Sequence, residues 1–499
     1  MENIFISICA KLKETASIQD VIVVLFQIFS SEKEKKHLDQ YSSWLNQGKG
    51  TEQVRLDLNH TVQLMCSDED GFQTYLVELL KIYKDNAADI YPLIAETLFC
   101  FDNEHSEPLI SHSMRGKNRI SHGPLNTTDC QNAERAYLYT RVNGQFQQLF
   151  TQGHKLRRGR NLLSPHPSGL LKQLKNYIIV KSEQLDGMIP YVWAYYPTEN
   201  GYEALQRCKL KIAVVPFANQ MWFDFPLTSS GKEFDIVYTP ESEEKIKEGY
   251  VKSLSFADDQ EADIVVFSEM ALGSSALHSI KDHLKKNGHL YKHIKLIFAG
   301  SKWQEQENTA YVLTKFGSEL LAQKKREPFE YYDKGKKKML REHLKDHENQ
   351  LFFLDIDGLG RISYSICRDF LDPQEALIRG GFMESNFFFA SCYTGSIDSF
   401  FTSAQSLIRN YAAIVLVCNA CAPIRTKRNH KELPEIGFMA VPTVADKRLG
   451  DQIEAYRFVT SNCATYDCGL CNCLDIYTIC LTEDDSPHFL LEHEKRSLC

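Results

Sequence analysis

Three residues of this 499-residue chain combine into one chemistry: Cys367, Glu269 and Lys325. Cys367 follows the alternating run 361–366 and precedes Asp372-Pro373, an N-cap residue and a proline at the first position of a helix that Gly380-Gly381 is expected to end. The thiol is thus expected on a strand-to-helix elbow, where backbone amides at a helix N-terminus favour a thiolate and a developing oxyanion. Glu269 closes a strand, 262–269, whose other residues are mostly apolar. A carboxylate at the rim of a buried strand is partly desolvated, which raises its pKa and suits it to act as a base. Lys325 ends the second arm of a hairpin about Gly317. Taken singly, each has a bland reading: a small buried hydrophobe, a helix-capping acid, and part of a solvated basic patch with Lys324 and Arg326. Taken together they form an acyl-transfer set. The base takes the thiol proton, the thiolate attacks a carbonyl or nitrile carbon, and the ammonium stabilises the tetrahedral oxyanion.

The elements that must position these residues alternate between strands and helices from about Lys209 onward, the pattern of a layered α/β domain. Strands are expected at 210–216, 262–269, 296–301, 309–314, 319–325, 386–391 and 413–420, with helices at 241–256 and 401–411. Strand ends on one edge of such a sheet are where α/β folds place their sites. Phe256-Ala257-Asp258-Asp259 imitates the aspartate pair of a polymerase palm, but it closes a helix and no other polymerase element surrounds it.

The order Glu269, Lys325, Cys367 with these flanks resembles the nitrilase superfamily, the carbon–nitrogen hydrolases, over about residues 209–442. Cys367, Asp369 and Pro373 match the family's Cys-x-Asp with a proline six residues after the cysteine. The acidic motif carries Ser268 where the family commonly has proline. The lysine motif reads Gln323-Lys324-Lys325, lacking the usual tyrosine and leaving Lys324 as a rival to Lys325. Arg409-Asn410 before the 413–419 strand resembles the family's Arg-Ala-x-Glu-Asn helix without its glutamate. The resemblance implies an α-β-β-α sandwich, preceded here by a mainly α-helical N-terminal region. It also implies a small-molecule amide or nitrile substrate, a Cys thioester intermediate, a homodimer or larger homo-oligomer, and no metal or organic cofactor. Catalytic roles carry over to Glu269, Lys325 and Cys367, with Asp369 and Glu330 (and, behind it, Glu327) as supporting residues.

Residues 1–205 are expected as a helical region and 206–499 as the hydrolase domain with a Cys-rich tail. Residues 71–83 show the spacing of an amphipathic helix, and 18–29 and 87–101 read as further helices. No catalytic constellation lies in this region, so it reads as a docking or regulatory module that binds a protein partner. This supports an alternative function, a signalling or anti-phage defence effector in which the nitrilase-like domain is the output or oligomerisation module. Local basic stretches at 111–126 and 153–167, with His112, His122, His154 and His166, read as solvated loops rather than metal or nucleic-acid sites, since no ligand spacing recurs. A formal net charge of −8 argues against nucleic acid as the main partner. With 43% hydrophobic and 24% charged residues, the composition is that of an ordinary globular chain. No basic segment precedes an apolar run at Met1, and no run is long enough to span a bilayer, so a cytoplasmic protein without a membrane contact is expected. The 15 cysteines are then expected as free thiols. Cys468-x-x-Cys471 is a zinc-like pair that Cys463 and Cys473 complete only poorly, and Cys480 reads as core.

Overall fold

A computed structural model describes residues 2–30, 34–68, 70–104, 120–122, 136–141, 174, 176–195, 209–217, 223–345, 349–356, 359–411, 413–420, 435–442, 453–459, 473–481 and 489–497. The described residues fall into two compact units, divided at Val192/Trp193. The boundary expected at 205/206 lies in a stretch outside the described residues.

Among its described residues the first unit is built on six α-helices: α1 (Glu2–Lys13), α2 (Ile18–Phe29), α3 (Glu34–Leu45), α4 (Lys49–Ser67), α5 (Phe72–Asp85) and α6 (Ile90–Glu104). Ser17 caps α2 by accepting the Asp20 N–H at 3.2 Å, the side-chain substitute for a missing intrahelical bond. Leu25, Phe29, Leu58, Val62, Leu79 and Phe101 meet in one apolar core. A hairpin, β1 (Ala136–Thr140) with β2 (Tyr177–Lys181), adds Leu138 and Ile179 to that core.

The second unit stacks two sheets. Its first sheet runs β7-β6-β5-β4-β3-β16-β17, comprising β3 (Lys209–Val215), β4 (Ile264–Phe267), β5 (Leu296–Gln304), β6 (Glu307–Thr314), β7 (Glu319–Lys324), β16 (Cys473–Leu481) and β17 (Phe489–Ser497). The second sheet carries, in order, β10 (Gln350–Ile356), β11 (Gly360–Ile366), β12 (Phe387–Cys392), β13 (Ile414–Asn419), β14 (Glu435–Pro442) and β15 (Ile453–Val459). A smaller pairing joins β8 (Glu330–Asp333) to β9 (Lys338–Glu342).

Alternation along the strands decides the layering. Ile212, Val214, Ile264, Val266 and Phe298 pack on Tyr364, Ile366 and Phe389 between the sheets. Their neighbours Ala213, Val215, Val265 and Phe267 face the other way, onto α7 (Pro240–Asp259) and α8 (Ser274–Asn287). On the outer face of the second sheet, α9 (Asp398–Tyr411) inserts Phe400, Ala404 and Leu407. The result is the expected α-β-β-α sandwich, preceded in the chain by a helical N-terminal unit. Asp258 of the apparent polymerase motif receives backbone N–H groups from Lys292, His293 and Ile294 at 2.7–3.0 Å, a structural clamp.

One sequence pattern has an unusual cause, and one local expectation changes. The polar–apolar alternation of β11 does not mark a solvated face, because every residue from Gly360 to Ile366 is buried. Arg361 is neutralised by a bidentate pair with Asp355 at 2.6 and 2.7 Å, and Ser363 accepts from Arg379 at 2.9 Å. Gly380-Gly381 does not end a helix either. The chain passes from a short turn of helix, Pro373–Ala376, into a π-helical stretch, Leu377–Phe382. Gly380 is needed there for close approach, since a Cβ would collide with the ring of Tyr411.

Candidate active site

Glu269 leaves the end of β4 at a sharp turn in which Met270 has φ 58°, the left-handed region. The turn is held from several sides. Ser268 Oγ donates to the Phe217 carbonyl, Ser391 Oγ donates to the Phe267 carbonyl at 2.6 Å, and Met270 N–H donates to Ser301 Oγ at 3.0 Å. Gly300, at φ 70°, bulges β5 beside this turn, where a Cβ would strike the Ser268 carbonyl. Ser268 thus does by hydrogen bonding what a proline would do by restricting φ.

Lys325 follows β7, its N–H donating to the Asn308 carbonyl at 2.8 Å. Its Nζ donates to Glu269 Oε1 at 2.9 Å and to Glu342 Oε2 at 2.7 Å, and all three side chains are 1% exposed. Strand alternation separates the two lysines. Lys324 points outward, is 46% exposed and pairs with Glu307 at 2.9 Å. Gln323, in the position of the missing tyrosine, is buried. It donates to the Gln350 carbonyl at 3.3 Å and accepts the Phe352 N–H at 3.0 Å, tying β7 to β10.

Cys367 follows β11 with φ 48°, a conformation that costs a non-glycine residue of order 1–3 kcal/mol and that elbows impose on nucleophiles. Its thiol is near enough to Glu269 to draw that carboxylate's pKa down. Asn308 Nδ2 also donates to Glu269 Oε1, at 2.9 Å. Asp369, two residues on, accepts the N–H groups of Arg326 (3.1 Å) and Glu327 (2.8 Å), so the elbow grips the segment that follows Lys325. Behind it Glu375 receives Arg326 at 2.6 Å and Arg379 at 2.8 Å.

The structure therefore brings Glu269, Lys325 and Cys367 together, with Asp369 adjacent. Glu330 does not join them. It is 41% exposed and stands 3.7 Å from both Arg341 and Arg368 at the surface. Glu327 supplies only its backbone N–H to Asp369 among the described hydrogen bonds. The second carboxylate beside Lys325 is instead Glu342, at the end of β9, which also accepts the Phe329 N–H at 2.8 Å. Its signal in the sequence was faint: Leu340 and Glu342 share one face of a strand, which puts a carboxylate on an inward position.

The cluster holds two carboxylates and one ammonium, an excess of one negative charge in a buried place. Burial, reinforced by Glu342, lifts Glu269 above the usual carboxylate range despite the pull of Lys325. Burial alone would lower Lys325, but Glu269 and Glu342 outweigh it and hold the ammonium well above its ordinary value. An acid poised to take a proton beside a fixed cation is what thiol activation needs. Burial, then Glu375, also pushes Asp369 well up. Glu342 Oε1 and Asn308 Oδ1 are buried acceptors with no partner among the described residues. Among the described residues no three His, Cys, Asp or Glu side chains converge to hold a metal. Cys463, Cys468 and Cys471 lie outside those residues, as do 153–167 and nearly all of 111–126, while Cys473 and Cys480 lie on β16. No helix among the described residues is long and apolar enough to cross a membrane.

No family model matches the chain, and no curated protein matches it. Solved structures that resemble it are nitrilase-superfamily proteins. Nit3 of Saccharomyces cerevisiae, a member of branch 10 of that superfamily, is 12% identical with a TM-score of 0.32, over 50% of this chain and 90% of its own. The NitFhit protein of C. elegans is 15% identical with a TM-score of 0.32, over 50% of this chain and 61% of its own. An amidase from Nesterenkonia sp. AN1, solved in complex with butyramide, is 13% identical with a TM-score of 0.29, over 42% of this chain and 77% of its own.

Proposed function

We propose that the second unit is a cysteine amidohydrolase that cleaves a non-peptide carbon–nitrogen bond. The observation that carries this reading is the buried Glu269–Lys325–Glu342 cluster set against a nucleophile elbow at Cys367. Glu269 takes the thiol proton, and the sulfur attacks the acyl carbon. Lys325, fixed by Glu342, stabilises the tetrahedral oxyanion, and Glu269 returns the proton to the leaving nitrogen. Ammonia or an amine departs, a thioester remains on Cys367, and water hydrolyses it to the acid and the free thiol.

Two buried acceptors with no partner among the described residues, Glu342 Oε1 and Asn308 Oδ1, favour an amide over a nitrile. An amide NH2 offers two donors, whereas a nitrile offers none, and leaving a buried acceptor unpaired costs about 1–3 kcal/mol. The test is ammonia release from a panel of primary amides and matched nitriles, with wild type beside Cys367→Ala. Amide turnover that vanishes in the variant, with its circular dichroism unchanged, is expected. Turnover that survives the loss of Cys367 would overturn the mechanism.

A further inference from the structure

Cys392 ends β12 directly beside the nucleophile. Ile366 pairs with Ser391 across the parallel strands β11 and β12, so Cys367, the first residue of the elbow, leaves β11 beside Cys392, the last residue of β12. The Ile366–Ser391 pair just before them is set at the strand spacing of roughly 4.7–4.9 Å, and a disulfide spans roughly 4.4–6.8 Å between Cα atoms. The two thiols share one apolar cluster, 2% and 0% exposed, and both are free. Nothing in amide hydrolysis uses Cys392. Burial, with the Cys367 thiol next, holds its pKa well up, so at rest it is a protonated neighbour. Cys418, one strand further on, is turned away: its thiol donates to the Val215 and Val266 carbonyls at 3.3 and 3.6 Å.

We propose that Cys392 is a resolving cysteine, so that a hydroperoxide oxidises Cys367 and the product is captured as a Cys367–Cys392 disulfide. The proposal rests on the reading of Cys367 as an activated nucleophile. In the first step the Cys367 sulfur attacks the distal peroxide oxygen and the O–O bond breaks. The proton that Glu269 took from the thiol leaves on the alcohol or water, and Cys367 becomes a sulfenic acid. In the second step the Cys392 sulfur attacks the sulfenic sulfur. The S–O bond breaks, hydroxide departs with the Cys392 proton as water, and the disulfide remains. The two electrons lost by the thiols have reduced one peroxide. The capture stops the nucleophile from climbing to the sulfinic and sulfonic acids, which thiol reductants do not reverse.

The experiment is a hydrogen peroxide titration of the full chain, read by intact mass and non-reducing peptide mapping, for wild type, Cys392→Ala, Cys392→Ser and Cys418→Ala. Wild type and Cys418→Ala are expected to lose two hydrogens, to yield a linked Cys367–Cys392 peptide, and to regain iodoacetamide labelling at Cys367 after dithiothreitol. Both Cys392 variants are expected to gain two or three oxygens at Cys367 and to lose that labelling for good. The serine variant, checked by circular dichroism, guards against a packing defect in the alanine one. Wild type oxidised at Cys367 just as the Cys392 variants are, or a link that runs to Cys418, would overturn the proposal. Amide turnover without a disulfide sinks this inference alone, and a disulfide without turnover sinks only the hydrolase reading.

Discussion

Replacing Lys325 by Met removes the one positive charge between two buried carboxylates while keeping most of the side-chain volume. The Nζ atom lies 2.9 Å from Glu269 and 2.7 Å from Glu342, with all three groups 1% exposed, so water cannot take over the missing partner. The cluster goes from two carboxylates and one ammonium to two carboxylates alone. Removing one side of a buried ion pair costs about 3–5 kcal/mol, which lowers the melting temperature of a domain this large by roughly 10 °C. The loss must depend on pH. Glu269 already titrates above its unfolded value of 4.5, and deleting Lys325 removes the main influence pulling it down. Between the unfolded and folded pKa values the folded state then binds protons that the unfolded state does not. Stability falls as pH rises through that window and recovers as pH falls. Urea unfolding of wild type and Lys325→Met near pH 5 and near pH 8 measures this, with the larger deficit expected at pH 8. A deficit below about 1 kcal/mol, or one equal at both pH values, would refute the assignment of a buried three-charge cluster, for an exposed pair contributes no more than that.

The acid limb of the kcat/KM profile is expected above the ordinary carboxylate range, because burial raises Glu269. Glu342→Gln removes a second raising influence and should move that limb to lower pH. The same Glu342→Gln variant should lower kcat by about 10²–10³, since it unfixes the oxyanion donor, while Glu330→Gln should leave kcat unchanged and stability within about 0.5 kcal/mol. Equal effects from the two would contradict the placement of the second acid. Gly380→Ala should destabilise by about 1–3 kcal/mol through its clash with Tyr411, measured by thermal unfolding; a neutral result would contradict the tight π-helical packing.

The sequence by itself determined the layered α/β class and two of the three reacting groups. A strand-forming run of four to seven residues, apolar at Ile264–Phe267 and alternating in β11, that ends in a single chemical residue is a local signal. The strand forms for burial, and its last residue must then sit at a sheet edge, as with Glu269 after Ile264–Phe267 and Cys367 after β11. The helical unit was legible for the same reason, as the spacing of residues 71–83 settles into α5, Phe72–Asp85. Only the tertiary structure chose between Lys324 and Lys325. Adjacent residues on a strand face opposite sides, and sequence fixes that alternation but not which side becomes the core. It also exchanged Glu330 for Glu342, since which carboxylate meets Lys325 depends on how the β8–β9 hairpin packs, a long-range choice invisible within twelve residues of chain. The burial of both faces of β11, the close approach at Gly380 and the meeting of Cys367 with Cys392 share that origin. Each depends on a second element arriving from far along the chain, and local sterics and hydrophobic period say nothing of which element that is.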